Sequence, residues 1–248
     1  MSRHRRLLLS LFLLLLLGGA ATAAGVWYFF FNGQAPAAAN LDEAAGSLTT
    51  PSPGVVGDPG GPVAVDGTWT VDKTIGSFSD YSSSYAGFRV EEVLDNIGDA
   101  VAVGRTPDVS GELTLSGDTL SAANIVVQLT TITSDRPRRD PAIQQSLQTS
   151  TFPTATFELT ELITLPSAPT EGASYDVTAK GNLTIHGVSK PVEIALQAKL
   201  QNGVIVVVGT TPFTFSEFGL TPPRAPVVLS VADHGTIEFQ LFFTKADA

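Results

Sequence analysis

The sequence predicts an all-β, antiparallel domain carried behind an apolar N-terminal segment. Three observations predict it. Apolar and polar residues alternate in run after run from residue 66 onward, glycine-containing dipeptides of the tight-turn type join those runs at short range, and helical periodicity is nearly absent outside the first 31 residues. Strands at this frequency, each with one apolar face, must close into a barrel or stack as a sandwich, and periodicity alone does not choose between them.

Residues 1–31 carry Arg3, Arg5 and Arg6, no acid, and an apolar stretch over 7–31 broken only by Ser10, Thr22 and glycines. Those 25 residues would span roughly 37 Å as a helix at about 1.5 Å per residue, enough to cross a hydrocarbon core of about 30 Å. The expectation is an N-terminal transmembrane helix whose basic start faces the cytoplasm, placing the remainder on the extracytoplasmic side, periplasmic or in the cell envelope. A cleaved signal peptide is the rival, with Ala21-Thr22-Ala23 as the cleavage site and a secreted product. Against it stands Val26-Trp27-Tyr28-Phe29-Phe30-Phe31, an awkwardly apolar mature terminus. The chain has no cysteine, which excludes a lipoprotein anchor and a disulfide framework.

Residues 32–65 are rich in Ala, Pro, Gly, Ser and Thr, show no sustained period, and are expected to form a flexible linker. Residues 66–248 then make one domain with room for a substantial core, expected to fold alone from about Asp66. Of the chain's 14 basic residues three lie in the anchor, so 11 face 24 acidic ones beyond it, a net charge of −13. Such a surface repels nucleic acid and anionic headgroups.

Within the domain, Ile125, Val127 and Leu129 fall on one face and Asn124, Gln128 and Thr130 on the other, the mark of a half-buried strand. The same period groups Leu113 with Leu115, Val177 with Ala179, Leu183 and Ile185, Val192 with Ile194 and Leu196, and Ile237 with Phe239, Leu241 and Phe243. Gly117-Asp118, His186-Gly187 and Asn202-Gly203 supply hairpin turns, the last a strong type I′ signal. One short helix is expected over 141–147, capped by Asp140 and started by Pro141.

A search for chemistry finds no nucleophile elbow, no phosphate-binding glycine loop and no metal-ligand spacing, so no catalytic residue, metal or cofactor is assigned. His186 reads as a turn residue and His234 as a loop residue. Glu91 and Glu92 are adjacent in a strand and so point to opposite faces, unable to share one substrate. Asn182-Leu183-Thr184 matches a glycosylation sequon but lies within a strand. The cluster Asp135-Arg136-Pro137-Arg138-Arg139-Asp140 is either a loop tied by local ion pairs or a set of guanidinium groups at a barrel mouth able to hold a phosphate.

The order of several segments carries a resemblance. Thr68-Trp69-Thr70-Val71-Asp72, Gly111-Glu112-Leu113, Arg139-Asp140, Phe152-Pro153 with Phe157, the run Gly181-Asn182-Leu183-Thr184-Ile185-His186-Gly187-Val188, and Phe218-Gly219-Leu220 follow one another as in the YceI-like family of polyisoprenoid-binding β-barrels, which the chain resembles over approximately 67–245. The resemblance implies an antiparallel lipocalin-like barrel whose lumen takes an isoprenoid or similar long-chain amphiphilic lipid, with no catalytic residue. Carried over, Ile125, Val127, Leu129, Phe157, Leu183, Ile185, Ile194 and Leu196 would line that lumen, with Arg138 and Arg139 as possible headgroup contacts. The chain departs from the family pattern at Arg139-Asp140-Pro141-Ala142-Ile143, where the family often has Arg-Asp-x-His-Leu, and at Phe215, near a position where it has arginine. Both departures touch polar groups that would address a headgroup.

The expectation is therefore a membrane-tethered extracytoplasmic barrel that sequesters or carries a long-chain isoprenoid. Two alternatives stand beside it: a self-filled barrel serving as an envelope or interaction module for a protein partner, and a cyclase- or isomerase-like enzyme acting on an apolar substrate. Lumen volume separates the first two, and an ionisable group deep in the lumen would favour the third.

Overall fold

Two-residue turns set the register of the sheet. Asn202 and Gly203 both take positive φ (53° and 73°), as do His186 and Gly187 (53° and 73°), the backbone of a type I′ turn. The computed structural model describes residues 35–48, 65–95, 98–224 and 228–246. The anchor predicted over 1–31 lies outside them; among the described residues no helix is long and apolar enough to cross a membrane.

The described strands run in chain order as β1 (Gly67–Val71), β2 (Tyr85–Leu94), β3 (Gly98–Thr106), β4 (Val109–Ser116), β5 (Thr119–Gln128), β6 (Thr133–Ser134), β7 (Thr154–Leu159), β8 (Ile163–Thr164), β9 (Ser174–Ile185), β10 (Val188–Gln201), β11 (Val204–Thr214) and β12 (Val228–Lys245). Two helices accompany them, α1 (Leu41–Gly46) and α2 (Asp140–Leu147). All strand pairs of the sheet are antiparallel, in the order β1-β4-β5-β7-β9-β10-β11-β12, and β12 pairs back onto β1 through Trp69↔Lys245 and Val71↔Phe243. Eight strands thus close a barrel, the architecture that leaves no free edge.

The long β12 shares one edge between two partners. Its residues 228–240 pair with β2 and its residues 243–245 with β1, so the β2–β3 hairpin stands as a flap on the ring at one end. Helix α2 lies against that end, burying Ile143 among Leu129, Ile132, Phe215 and Leu220. At the other end Trp69, fully buried, packs among Leu113, Leu115, Leu200, Ile205 and Phe243 and donates its indole N–H to the carbonyl of Val65 at 2.8 Å.

Two sequence expectations are corrected here. Asp140 does not cap its own helix. Its Oδ1 instead accepts from the backbone N–H (2.9 Å) and hydroxyl (2.7 Å) of Ser134, because a 3₁₀ turn over Pro137–Arg139 leads directly into α2 and leaves no extended capping residue. Within the 32–65 linker, α1 forms and docks: Leu41, Ala44 and Ala45 are buried against Val204, Val206, Val208 and Phe242 on the outer face of β11 and β12. Asn40 supplies the cap, its Oδ1 accepting from the N–H of Asp42 (2.9 Å) and Glu43 (3.1 Å). A six-residue helix has little stability of its own, and the apolar outer stripe of β11 and β12 provides the burial that holds it.

Candidate functional site

Alternation along the strands decides what faces the lumen. On β12, Ile237, Phe239, Leu241 and Phe243 point inward while Glu238, Gln240 and Phe242 point out; β9 sends Tyr175, Val177, Ala179, Leu183 and Ile185 inward. Mid-strand inward residues would be sealed from solvent in a packed barrel, yet Ile125, Val127, Phe157, Val177, Leu196 and Phe239 are only half-buried. The lumen is hollow.

Glycine keeps it so at two places. A Cβ at Gly181 would come within 2.4 Å of the Phe157 ring, and one at Gly209 within 2.4 Å of the Phe239 ring. Without side chains there, each ring folds flat onto the neighbouring strand instead of across the lumen.

The space forms two chambers, of about 180 and 160 Å³. The first runs toward Leu120, Leu165, Tyr175 and Leu200; the second runs toward Phe88, Phe213, Leu220 and the inner side of α2. They share the lining residues Ala86, Val127, Ala155, Leu183 and Ile237. Both walls are almost wholly hydrocarbon, the surface that holds water poorly and apolar ligands well. A barrel filled solid by its own side chains, one of the two alternatives, is not what this chain builds.

Polar groups gather at the far end of the second chamber. Glu92, 5% exposed, faces inward from β2 while Glu91 is exposed on the outside, the opposed orientation expected of adjacent strand residues. Arg139 pairs with Glu92 and, through Nη1, with Asp135 Oδ1 at 2.8 Å. Burial pushes the Glu92 carboxyl above its ordinary value of 4.5, against the opposing pull of Arg139. Ser146 and the exposed Arg224 complete this lip, so these ionisable groups meet the lumen at its end, with Glu92 ion-paired, and not deep among its hydrocarbon side chains.

All eight residues carried over from the resemblance line this space: Ile125, Phe157, Ile194 and Leu196 the first chamber, Leu129 and Ile185 the second, Val127 and Leu183 both. Leu129 does so from a 3₁₀ turn, since β5 ends at Gln128. The two arginines part company. Arg139 reaches the second chamber, whereas Arg138 is exposed and lines neither. Sequence reasoning missed Glu92 as a lumen group, and with it Ala86, Phe88 and Val90, although these four residues alternate along β2 and so carried the signal. His186 holds its turn in place: the ring lies edge-on to Phe152 with centroids 4.4 Å apart, and Nδ1 is 3.2 Å from the carbonyl oxygen of Phe218.

Comparison with known proteins agrees with this geometry. The model of the YceI-like domain matches residues 69–243, nearly the whole barrel. The chain belongs to the YceI-like family. Among curated relatives, a UPF0312 protein of Shewanella baltica is 29% identical over 143 residues, covering 54% of this chain and 71% of that protein, and one of Pseudomonas aeruginosa is 35% identical over 115 residues, covering 45% and 55%. Among solved structures, a polyisoprenoid binding domain from Saccharophagus degradans implicated in plant cell wall breakdown superposes with a TM-score of 0.53 at 15% identity, covering 72% of this chain and 98% of that one. Burkholderia cenocepacia BcnA superposes with a TM-score of 0.50 at 18% identity, covering 69% and 98%. At these identities the structural likeness speaks for the fold.

Proposed function

We propose that this YceI-like barrel binds a long-chain isoprenoid or similar amphiphilic lipid, its tail in the two chambers and its polar end at the Glu92–Arg139 lip, and that it holds or carries the lipid without chemically converting it. The observation that carries the reading is the hollow hydrocarbon lumen. At about 25 cal/mol per Å², burying a few hundred square ångströms of tail contributes several kcal/mol before the costs of ordering the ligand. The polyisoprenoid-binding domain among its structural neighbours supports the choice of ligand class. We also propose that 1–31 tethers the barrel to the membrane with the barrel on the extracytoplasmic side, on the strength of the arginines before an apolar stretch long enough to span.

The test is native mass spectrometry of the protein extracted from cells: a co-purifying long-chain lipid is expected. Leu183→Glu, which places an unpaired charge between the chambers, should abolish uptake in protein that circular dichroism shows to be folded. A folded wild type that takes up no long-chain lipid overturns the reading. N-terminal sequencing tests the tether, which a mature terminus near Ala24 would refute.

A further inference from the structure

The residues shared by the two chambers form a waist. Inward positions next to it along the same strands carry phenylalanine: Phe157 and Phe239 on the side of the first chamber, Phe88 and Phe213 on the side of the second. At the waist itself three of those strands carry Ala155, Ile237 and Ala86 in place of aromatics, with Val127 on β5 directly opposite Ala155 and Leu183 on β9 completing the ring. Another phenylalanine at Ala155 or Ala86 would fill the space between the chambers. Two small side chains leave it open.

The lumen's depth follows from β9, whose Tyr175 lines the first chamber and Ile185 the second. Ten residues at about 3.4 Å each, tilted by roughly 40° to the axis as in eight-stranded barrels, place the two levels about 25 Å apart. Charged side chains concentrate at the second chamber, where Glu92, Arg139 and Arg224 meet it with Ser146, against Lys199 alone at the first. Trp69 packs with the residues that end the first. The two chambers together therefore have one strongly polar end and one mainly apolar end.

Resting on the lipid-binding reading above, we infer that Ala86 and Ala155 are the residues that select ligand length: they let a single chain of about 25 Å, with one polar end, thread both chambers, and they disfavour chains that fill only one. Partial occupancy leaves the other chamber's hydrocarbon wall without partner atoms, so affinity should climb until the chain passes the waist and fills the far side.

The experiment titrates the full-length protein, stripped of endogenous lipid, with farnesol (three prenyl units) and geranylfarnesol (five prenyl units), following bound mass by native mass spectrometry. The wild type should bind one geranylfarnesol at least tenfold more tightly than farnesol. Ala155→Phe should cut geranylfarnesol affinity tenfold or more and farnesol affinity less than threefold. Ala86→Val and Ala155→Val should give the same selective loss in smaller measure, and they decide the matter should the larger substitution fail to fold. Equal affinity for the two alcohols in the wild type, or unchanged geranylfarnesol binding in folded waist variants, overturns threading while leaving lumen binding intact. Uptake of neither alcohol by the wild type, with no endogenous lipid found before stripping, overturns lumen binding and this inference together.

Discussion

Gly209 lies across the β11–β12 ladder from Phe239, and the open lumen depends on that absence of a side chain. Gly209→Val must drive the Phe239 ring off the wall and into the first chamber, since an added Cβ would also meet Leu196 Cδ2 at 2.6 Å. Lipid uptake should fall at least tenfold, and overpacking should cost about 1–3 kcal/mol of stability by thermal melting. Gly209→Val paired with Phe239→Ala should restore uptake, because the ring that blocks the chamber is then gone. At a second residue the prediction concerns pH. Tyr85, 2% exposed on the outer face, lies beneath the Arg105 guanidinium, which is also stacked on Tyr81 and paired with Glu238. Burial pushes its phenol up to about 12 against the pull of Arg105. The folded state then holds this proton through a window, pH 10 to 12, in which the unfolded chain has lost it, so stability falls as pH rises through that window. The loss is on the order of 2–3 kcal/mol, measured by urea melts, and Tyr85→Phe should remove this slope.

Among elements, α1 changes the domain boundary. A chain starting at Asp66 was expected to fold alone, but it lacks the helix that covers Val204, Val206, Val208 and Phe242, and it also lacks the Ala37 carbonyl that accepts from Arg105 Nη2 at 2.5 Å. Burying a side chain such as Leu41 stabilises by about 1.5–3 kcal/mol. Relative to a chain starting at Asn32, the shorter one should melt roughly 5–10 °C lower and self-associate through the uncovered apolar stripe, read by calorimetry and light scattering. Helix α2 acts at the opposite end of the ring, where Gln144 donates to the carbonyls of Leu129 (3.1 Å) and Ile132 (3.3 Å) and so holds the cover over the second chamber.

For the molecule as a whole, a hollow core trades stability for capacity. Inward side chains that would touch neighbours in a solid core face empty space, and a bound tail supplies the missing contacts. Ligand binding to the folded state alone should therefore raise the melting temperature. At a free ligand concentration 100 times Kd the gain is about 2.7 kcal/mol, and the midpoint should climb with lipid concentration in calorimetry. The Leu183→Glu variant should show no such rise.

The strands, their faces and their turns were legible from local rules. Alternation assigned Ile125, Val127 and Leu129 to one face, and Asn202-Gly203 specified a turn whose two positive φ angles the structure carries, because side-chain period and turn chemistry are properties of a few consecutive residues. The run of family-like segments was legible in the same way, and it indicated a barrel where periodicity left a sandwich open. Three things were decided only by tertiary structure. An inward apolar residue reads the same whether it meets another side chain or a void, so the hollow lumen depended on Phe157 and Phe239 lying over Gly181 and Gly209 of neighbouring strands. The linker's composition gave no sign that Leu41, Ala44 and Ala45 would find an apolar stripe on strands more than 150 residues away. Glu92 and Arg139 are 47 positions apart, and only the fold, which brings the 3₁₀ turn over Pro137–Arg139 to β2, turned a charge in a strand and a charge in a basic cluster into one ion pair at the end of the lumen.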